Sequence, residues 1–143
     1  MEKVHYKVVC KKVIKRKKRL FSYFAKFEGT EIEYKLNKWV KAPLEKALKG
    51  YHLLVFDNLD NAVEFIKDCN FKNIFIYKCH IKNKIQSIPD KFEINSGLKW
   101  PKGTIMAKQV KIFGNKINFM RSYREIQRHY YQKLINDYGK YIL

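Results

Sequence analysis

Carboxylates are scarce in this chain. Its 143 residues carry 13 Asp and Glu against 31 Lys and Arg, for a formal net charge of +18. Among so few acids no close pair stands alone in an apolar context, so a two-carboxylate hydrolytic site is not in view. Cysteine is also sparse. Cys10, Cys69 and Cys79 are odd in number and not closely paired, which argues against a disulfide framework. With no C-x-x-C or H-x-x-x-H spacing, a closed zinc site is not expected either. Cys79 and His80 are adjacent, and adjacent strand residues point to opposite faces. They therefore read as a buried thiol beside a half-exposed imidazole, not as a dyad. No run of about 18 apolar residues occurs, so no membrane-spanning helix and no membrane partner is expected. The opening MEKVHYKVVCKK shows no apolar secretory core, and a cytoplasmic location is the expectation. The loop INSGLKWPKGT holds isolated glycines, not a phosphate-binding or dinucleotide fingerprint, and no Ser sits in a G-x-S-x-G turn. His5, His52, His80 and His129 are dispersed. Nucleophile, base and orienting group do not cluster, so a non-enzymatic protein without a cofactor or catalytic residues is favoured.

What is present is apolar, aromatic and cationic. The hydrophobic fraction is 46%, with 10 Phe, 10 Tyr and 2 Trp, which excludes a disordered basic tail and supplies a core for one domain. Lys occurs 26 times, Ile 15 and Asn 10, whereas Arg and Ala occur 5 times each. That skew is what an AT-rich genome produces, so the lysine count alone is a weak argument. The shortage of carboxylates is not explained in that way. A field of this sign favours polyanions: nucleic acid, a nucleoprotein complex or an acidic protein face.

Residues 4–10 (VHYKVVC) and 19–28 (RLFSYFAKFE) read as two strands of an antiparallel hairpin, with KKVIKRKK between them and KRKK at its distal end. The turn type is open, because no Asn-Gly or Asp-Gly marks it. EIEYKLNKWV (31–40) alternates Ile32, Tyr34 and Leu36 against polar residues and reads as a third strand. APLEKALKG (42–50) is a short helix between Pro43 and Gly50. YHLLVFD (51–57) is a strand, and NLDNAVEFIKDC is a helix capped by Asn58, with Leu59, Ala62, Val63 and Ile66 at helical spacing. Residues 73–81 and 104–113 are strands, and 119–138 have helical periodicity. The fold class is α+β: a single domain over 1–143, mostly antiparallel sheet, with a basic N-terminal β-hairpin, an internal helix and a C-terminal helix. A sheet-containing body over 1–113 and a helical segment over 114–143 are expected.

Two cationic features stand out. From Lys11 to Arg19 seven of nine residues are basic: Lys11, Lys12, Lys15, Arg16, Lys17, Lys18 and Arg19. A two-stranded ribbon fits a major groove, and a basic tip tracks a phosphate backbone without choosing sequence. The bland alternative is an edge strand kept from aggregating by lysines, and the run is longer than that needs. The other three arginines, Arg121, Arg124 and Arg128, fall within about 60° on the expected last helix. Arginine's planar fork suits phosphate in a way lysine does not. Tyr123, Ile126, Tyr130 and Leu134 form a separate apolar stripe, through which the helix would dock in cis or join a homodimer. The aromatics Phe21, Tyr23, Phe24 and Phe27 read as core packing in the second strand.

YKVV near the start, EYKLNKWVKAP, LLVFDNLDNAVEF, IYKC and WPKGTIMAKQVKI together resemble small proteins of phages and prophages, over about residues 6–112. Such proteins include inhibitors of bacterial defence, among them anti-CRISPR proteins. The resemblance implies a viral protein in the host cytoplasm, inhibiting a nucleic-acid-dependent defence complex by occupying its nucleic-acid path. A general DNA- or RNA-binding accessory protein is the alternative. RLFS and VFDNLDNAVEF also resemble segments of ADP-ribosyltransferase-like folds. That family's reactive glutamate has no matching motif here, with Glu93 and Glu125 the candidates.

Overall fold

The computed structural model describes residues 3–23, 32–67, 73–86 and 100–118. Within them the order is β1 (His5–Ile14), β2 (Lys17–Ser22), β3 (Glu33–Tyr34), β4 (Trp39–Lys41), α1 (Leu44–Leu48), β5 (Leu53–Phe56), α2 (Leu59–Ile66), β6 (Ile74–Lys84) and β7 (Thr104–Ile117). Every strand pairing is antiparallel, so the architecture is mostly antiparallel β with two short helices.

The two long strands organise the sheet. Along one edge β1 meets β5 at Tyr6↔Phe56 and then β2 from Val9 onward; along the other it meets β6. In the same way β7 meets β5 through Thr104–Ala107 and β4 through Gln109–Lys111, with β6 on its far side. The strands β1, β5, β7 and β6 thus close a small four-stranded barrel, which β2, β3 and β4 extend. Closing it takes a local irregularity where Ile76 pairs Ile117 but Lys78 pairs Phe113. Gly114, at φ +76, lies in this stretch, as a bulge with a left-handed residue requires.

Strand alternation splits the core into two layers. Tyr6 and Val8 face one way with Leu54, Phe56, Ile74, Ile76 and Met106, and α2 lays Ala62, Val63 and Ile66 onto that layer. Val9 faces the other way with Leu53, Val55, Cys79, Val110 and Ile112, closed over by Tyr34 of β3. All four residues of β5 are buried, so 51–57 reads as a continuous apolar run instead of alternating. The Asn58 side chain accepts the Asn61 backbone N–H at 2.8 Å and starts α2. At eight residues α2 is too short to stand alone, so its buried stripe, not propensity, holds it.

Several expectations are corrected. The hairpin stands as expected with KRKK at its distal end, but most of the basic run is strand, since β1 continues to Ile14 and β2 begins at Lys17. The single strand over 31–40 is two short ones, β3 and β4, separated at Asn37, whose φ of +62 breaks an extended chain. Leu36, placed on the buried side of that strand, is 44% exposed. The short helix expected between Pro43 and Gly50 is present as α1, and it buries none of its residues. Residues 114–117, expected to open the C-terminal helical segment, belong to β7. The rest of that segment lies outside the described residues, as do Phe24, Phe27 and Cys69. Cys79 and His80 do face opposite ways: the thiol is fully buried, and the half-buried imidazole stacks on Phe113.

Candidate nucleic-acid interface

The hairpin is built on regular pairing from Val9↔Ser22 to Ile14↔Lys17, leaving Lys15 and Arg16 as a two-residue loop. Their φ values are +50 and +66. A two-residue loop with both positions left-handed matches the right-handed twist of its strands, and asparagine and glycine ordinarily fill it. Here two long cations occupy it at a conformational cost. They stand at the outermost point of the ribbon, both exposed, with Lys17 and Lys18 exposed beside them.

Pairing sets like charges opposite each other at Lys12↔Arg19, which is unfavourable in itself. Two contacts relieve it. The Arg19 guanidinium donates to both oxygens of Glu33 at 2.7 and 2.8 Å. Lys12 and Arg19 also lie over the Phe21 ring, at 5.6 and 5.3 Å from its centroid. Arg19 holds the Glu33 carboxyl below its ordinary range by hydrogen bonding, and Glu33 raises Arg19 in turn. Arg19 is therefore engaged within the protein, whereas the four cations of the tip are presented outward. Lys11 lies back over Phe75, 5.7 Å from the ring.

Beside the tip lies an open groove of about 600 Å³. Lys15, Lys17, Lys18, Arg19 and Lys35 line it, with Glu33 as the carboxylate among its lining residues. Ile14, Leu20 and Leu36 supply apolar wall. Because Arg19 already binds Glu33, the remaining lysines of the groove face an incoming anion with their charge undiminished. Val13 and Ile14 are 64% and 36% exposed, so the tip also offers apolar contact. Its charge and open shape suit an anionic chain lying along it.

The structure brings Lys15, Arg16, Lys17, Lys18 and Arg19 together, with Lys11 and Lys12 further back along the ribbon. Arg121, Arg124 and Arg128 lie outside the described residues, so their place relative to the hairpin is not given. Glu93 and Glu125 lie outside them too. Sequence reading missed Lys35, which reaches the groove only because β3 pairs with β2.

It also missed Lys7. This lysine is 1% exposed, in the core layer of Val9 and Tyr34. Its ammonium donates to Ser22 Oγ at 3.0 Å and to the Leu54 carbonyl at 2.6 Å, with the Tyr34 ring centroid 5.1 Å away. Burial pushes its pKa down from 10.5 to about 7, and pushes the nearby Cys79 thiol up from 9.0 to about 12. No signal in the sequence separates Lys7 from 25 other lysines except its place between two apolar strand positions.

Comparison of the chain with protein-family models, with curated proteins and with solved structures gave no match in any of the three.

Proposed function

We propose that this protein acts by non-catalytic binding to nucleic acid, with the β1–β2 ribbon and its groove as the contact. The observation that carries the reading is the tip itself. Four exposed cations stand there, Lys15 and Arg16 on the two-residue turn and Lys17 and Lys18 beside it, and the groove's carboxylate is already paired within the protein. Cations that only kept an edge soluble would not call for two of them, Lys15 and Arg16, in left-handed backbone. A ribbon of this width enters a major groove or follows a phosphate backbone, giving affinity with little sequence choice.

The narrower setting is inhibition of a host nucleic-acid-dependent defence complex, whose nucleic-acid path the ribbon would occupy. That setting rests on the resemblance to small phage proteins. Occupancy requires no chemistry, which fits a groove made of cations and aliphatic walls. A general DNA- or RNA-binding accessory protein uses the same surface without a protein target. A pull-down of the tagged chain, with and without nuclease, separates them: a stoichiometric protein partner that survives nuclease supports the inhibitor.

Binding to a labelled duplex across a salt series tests the common core. The affinity should fall linearly with salt on logarithmic axes. Changing Lys15, Arg16, Lys17 and Lys18 to alanine should weaken binding uniformly across sequences and reduce the slope by about 3–4. A variant with the wild-type slope refutes the hairpin as the contact.

A further inference from the structure

Away from the hairpin, β4, β6 and β7 carry seven lysines and no carboxylate. Their pairing aligns Trp39, Lys111 and His80 in one row across three strands, and Lys41, Gln109 and Lys82 in the next. Phe113 and Lys78 pair in the row beyond. The alternate residues Val40, Ile81, Val110, Ile112 and Cys79 pack into the core, so these rows form the opposite face of the same strands. The Trp39 ring has the Lys82 ammonium 4.1 Å and the Lys111 ammonium 5.0 Å from its centroid. Next to it the His80 and Phe113 rings stack at 4.4 Å with 15° between their planes. Trp39 on β4 and the His80–Phe113 pair on β6 and β7 thus present flat π surfaces on one sheet face, with Lys111 of β7 paired between Trp39 and His80.

We propose that this face binds unpaired nucleic-acid bases, one stacking on Trp39 while Lys41, Lys78, Lys82 and Lys111 hold the flanking phosphates. The proposal rests on the nucleic-acid reading above and names the form of nucleic acid this second surface takes. A duplex hides the faces of its bases, so it would use the lysines and gain nothing from the indole. An acidic protein surface would likewise leave the rings unused. A single strand uses both: its bases offer π faces of any sequence, and its phosphates meet cations that no carboxylate of these strands offsets. The two ammoniums over Trp39 sit on flexible four-carbon stems and can swing from the ring to a phosphate as a base arrives. The step from the base on Trp39 to the ring pair then crosses β7 at Lys111.

The test is fluorescence anisotropy with a labelled oligothymidine of about fifteen nucleotides, against a duplex of the same length. Trp39→Ala should weaken single-strand binding about ten- to a hundredfold and leave duplex binding within about twofold. Trp39→Phe keeps a ring on the strand and should fall between wild type and alanine. The alanine variant of Lys15, Arg16, Lys17 and Lys18 should weaken both ligands. Trp39 variants that weaken both ligands alike, or neither, overturn this proposal. If the alanine variant melts early, the phenylalanine variant decides: wild-type preference for the single strand overturns the proposal, and reduced preference supports it. A hairpin variant that binds both ligands as wild type does would instead refute the contact named under the proposed function, leaving the Trp39 result to stand on its own.

Discussion

Replacing Lys7 by methionine should change the sign of its effect on stability with pH. Below pH 7 the ammonium is charged in both the folded and the unfolded chain, and the fold bears the full cost of burying it. Between its folded pKa of about 7 and its ordinary 10.5, the unfolded chain keeps a proton that the folded chain has released, so stability rises with pH. The depression corresponds to about 3–5 kcal/mol, the lower end allowing for the Ser22 and Leu54 acceptors and the Tyr34 ring, which favour the ammonium. Cys79 runs the opposite way: its stabilising thiol form is lost from the fold's balance between 9.0 and about 12. Methionine preserves the buried stem and removes the charge, at a cost of about 1–3 kcal/mol for the acceptors left unmet. Near pH 6 the variant should therefore be about 2 kcal/mol more stable than wild type, and near pH 9.5 about 1 kcal/mol less stable. Urea unfolding followed by far-ultraviolet circular dichroism at both pH values measures the two differences. A difference that stays constant across this range would refute the burial argument: the Lys7 ammonium lowers the Cys79 thiol, but with or without it the folded thiol stays protonated up to pH 9.5.

Backbone geometry gives three further outcomes. Lys15→Asn with Arg16→Gly places the preferred residues in the left-handed turn and should stabilise the fold by about 1–2 kcal/mol in urea, while lowering the salt slope of nucleic-acid binding by about 2. Gly103, at φ +81, carries the carbonyl that accepts the Asp57 N–H, and a Cβ there would collide with the hydrogen-bonded Asp57 and Asn61 side chains. Gly103→Ala should cost about 2–4 kcal/mol. Gly114→Ala, at φ +76 with open space around it, should cost about 1–2 kcal/mol by the same urea assay. Equal losses at the two glycines would show that the collision is absorbed without strain.

The local signals in the chain were legible where one element carried them alone. Asn58 and the Leu59–Ile66 spacing mark α2, the apolar run marks β5, and Pro43 with Gly50 brackets α1. Failure came where tertiary pairing overrides local pattern. The Ile32, Tyr34, Leu36 alternation continues past the point where Asn37 turns the chain, because alternation reports hydropathy and not φ. The basic run conceals strand, because cations on a projecting ribbon bury little and leave no alternation to read. The hairpin cations were legible as a cluster, since they are contiguous. The Trp39 face was not: its rows join residues 39, 111 and 80, and only the registers of two strand pairs place them side by side. Lys7 was invisible for another reason. A lysine between strand positions ordinarily reaches out along its stem to water, and only Tyr34 arriving from β3 closes over this one.

The short ends of the sheet would matter if the protein binds nucleic acid as proposed. Among the described residues, the sheet terminates at β3, with two residues, and β4, with three. A net charge of +18 sets copies of the chain against each other by repulsion. A bound polyanion cancels that repulsion and crowds many copies along one strand, the condition in which exposed sheet edges join. The terminal strands offer few backbone groups to template another chain, and the outer edge of β2 beyond β3 carries Lys17, Lys18 and Arg19, charges that discourage strand addition. Coated nucleic acid should then remain a dispersed complex and not a fibrous one, even where its charge is neutral.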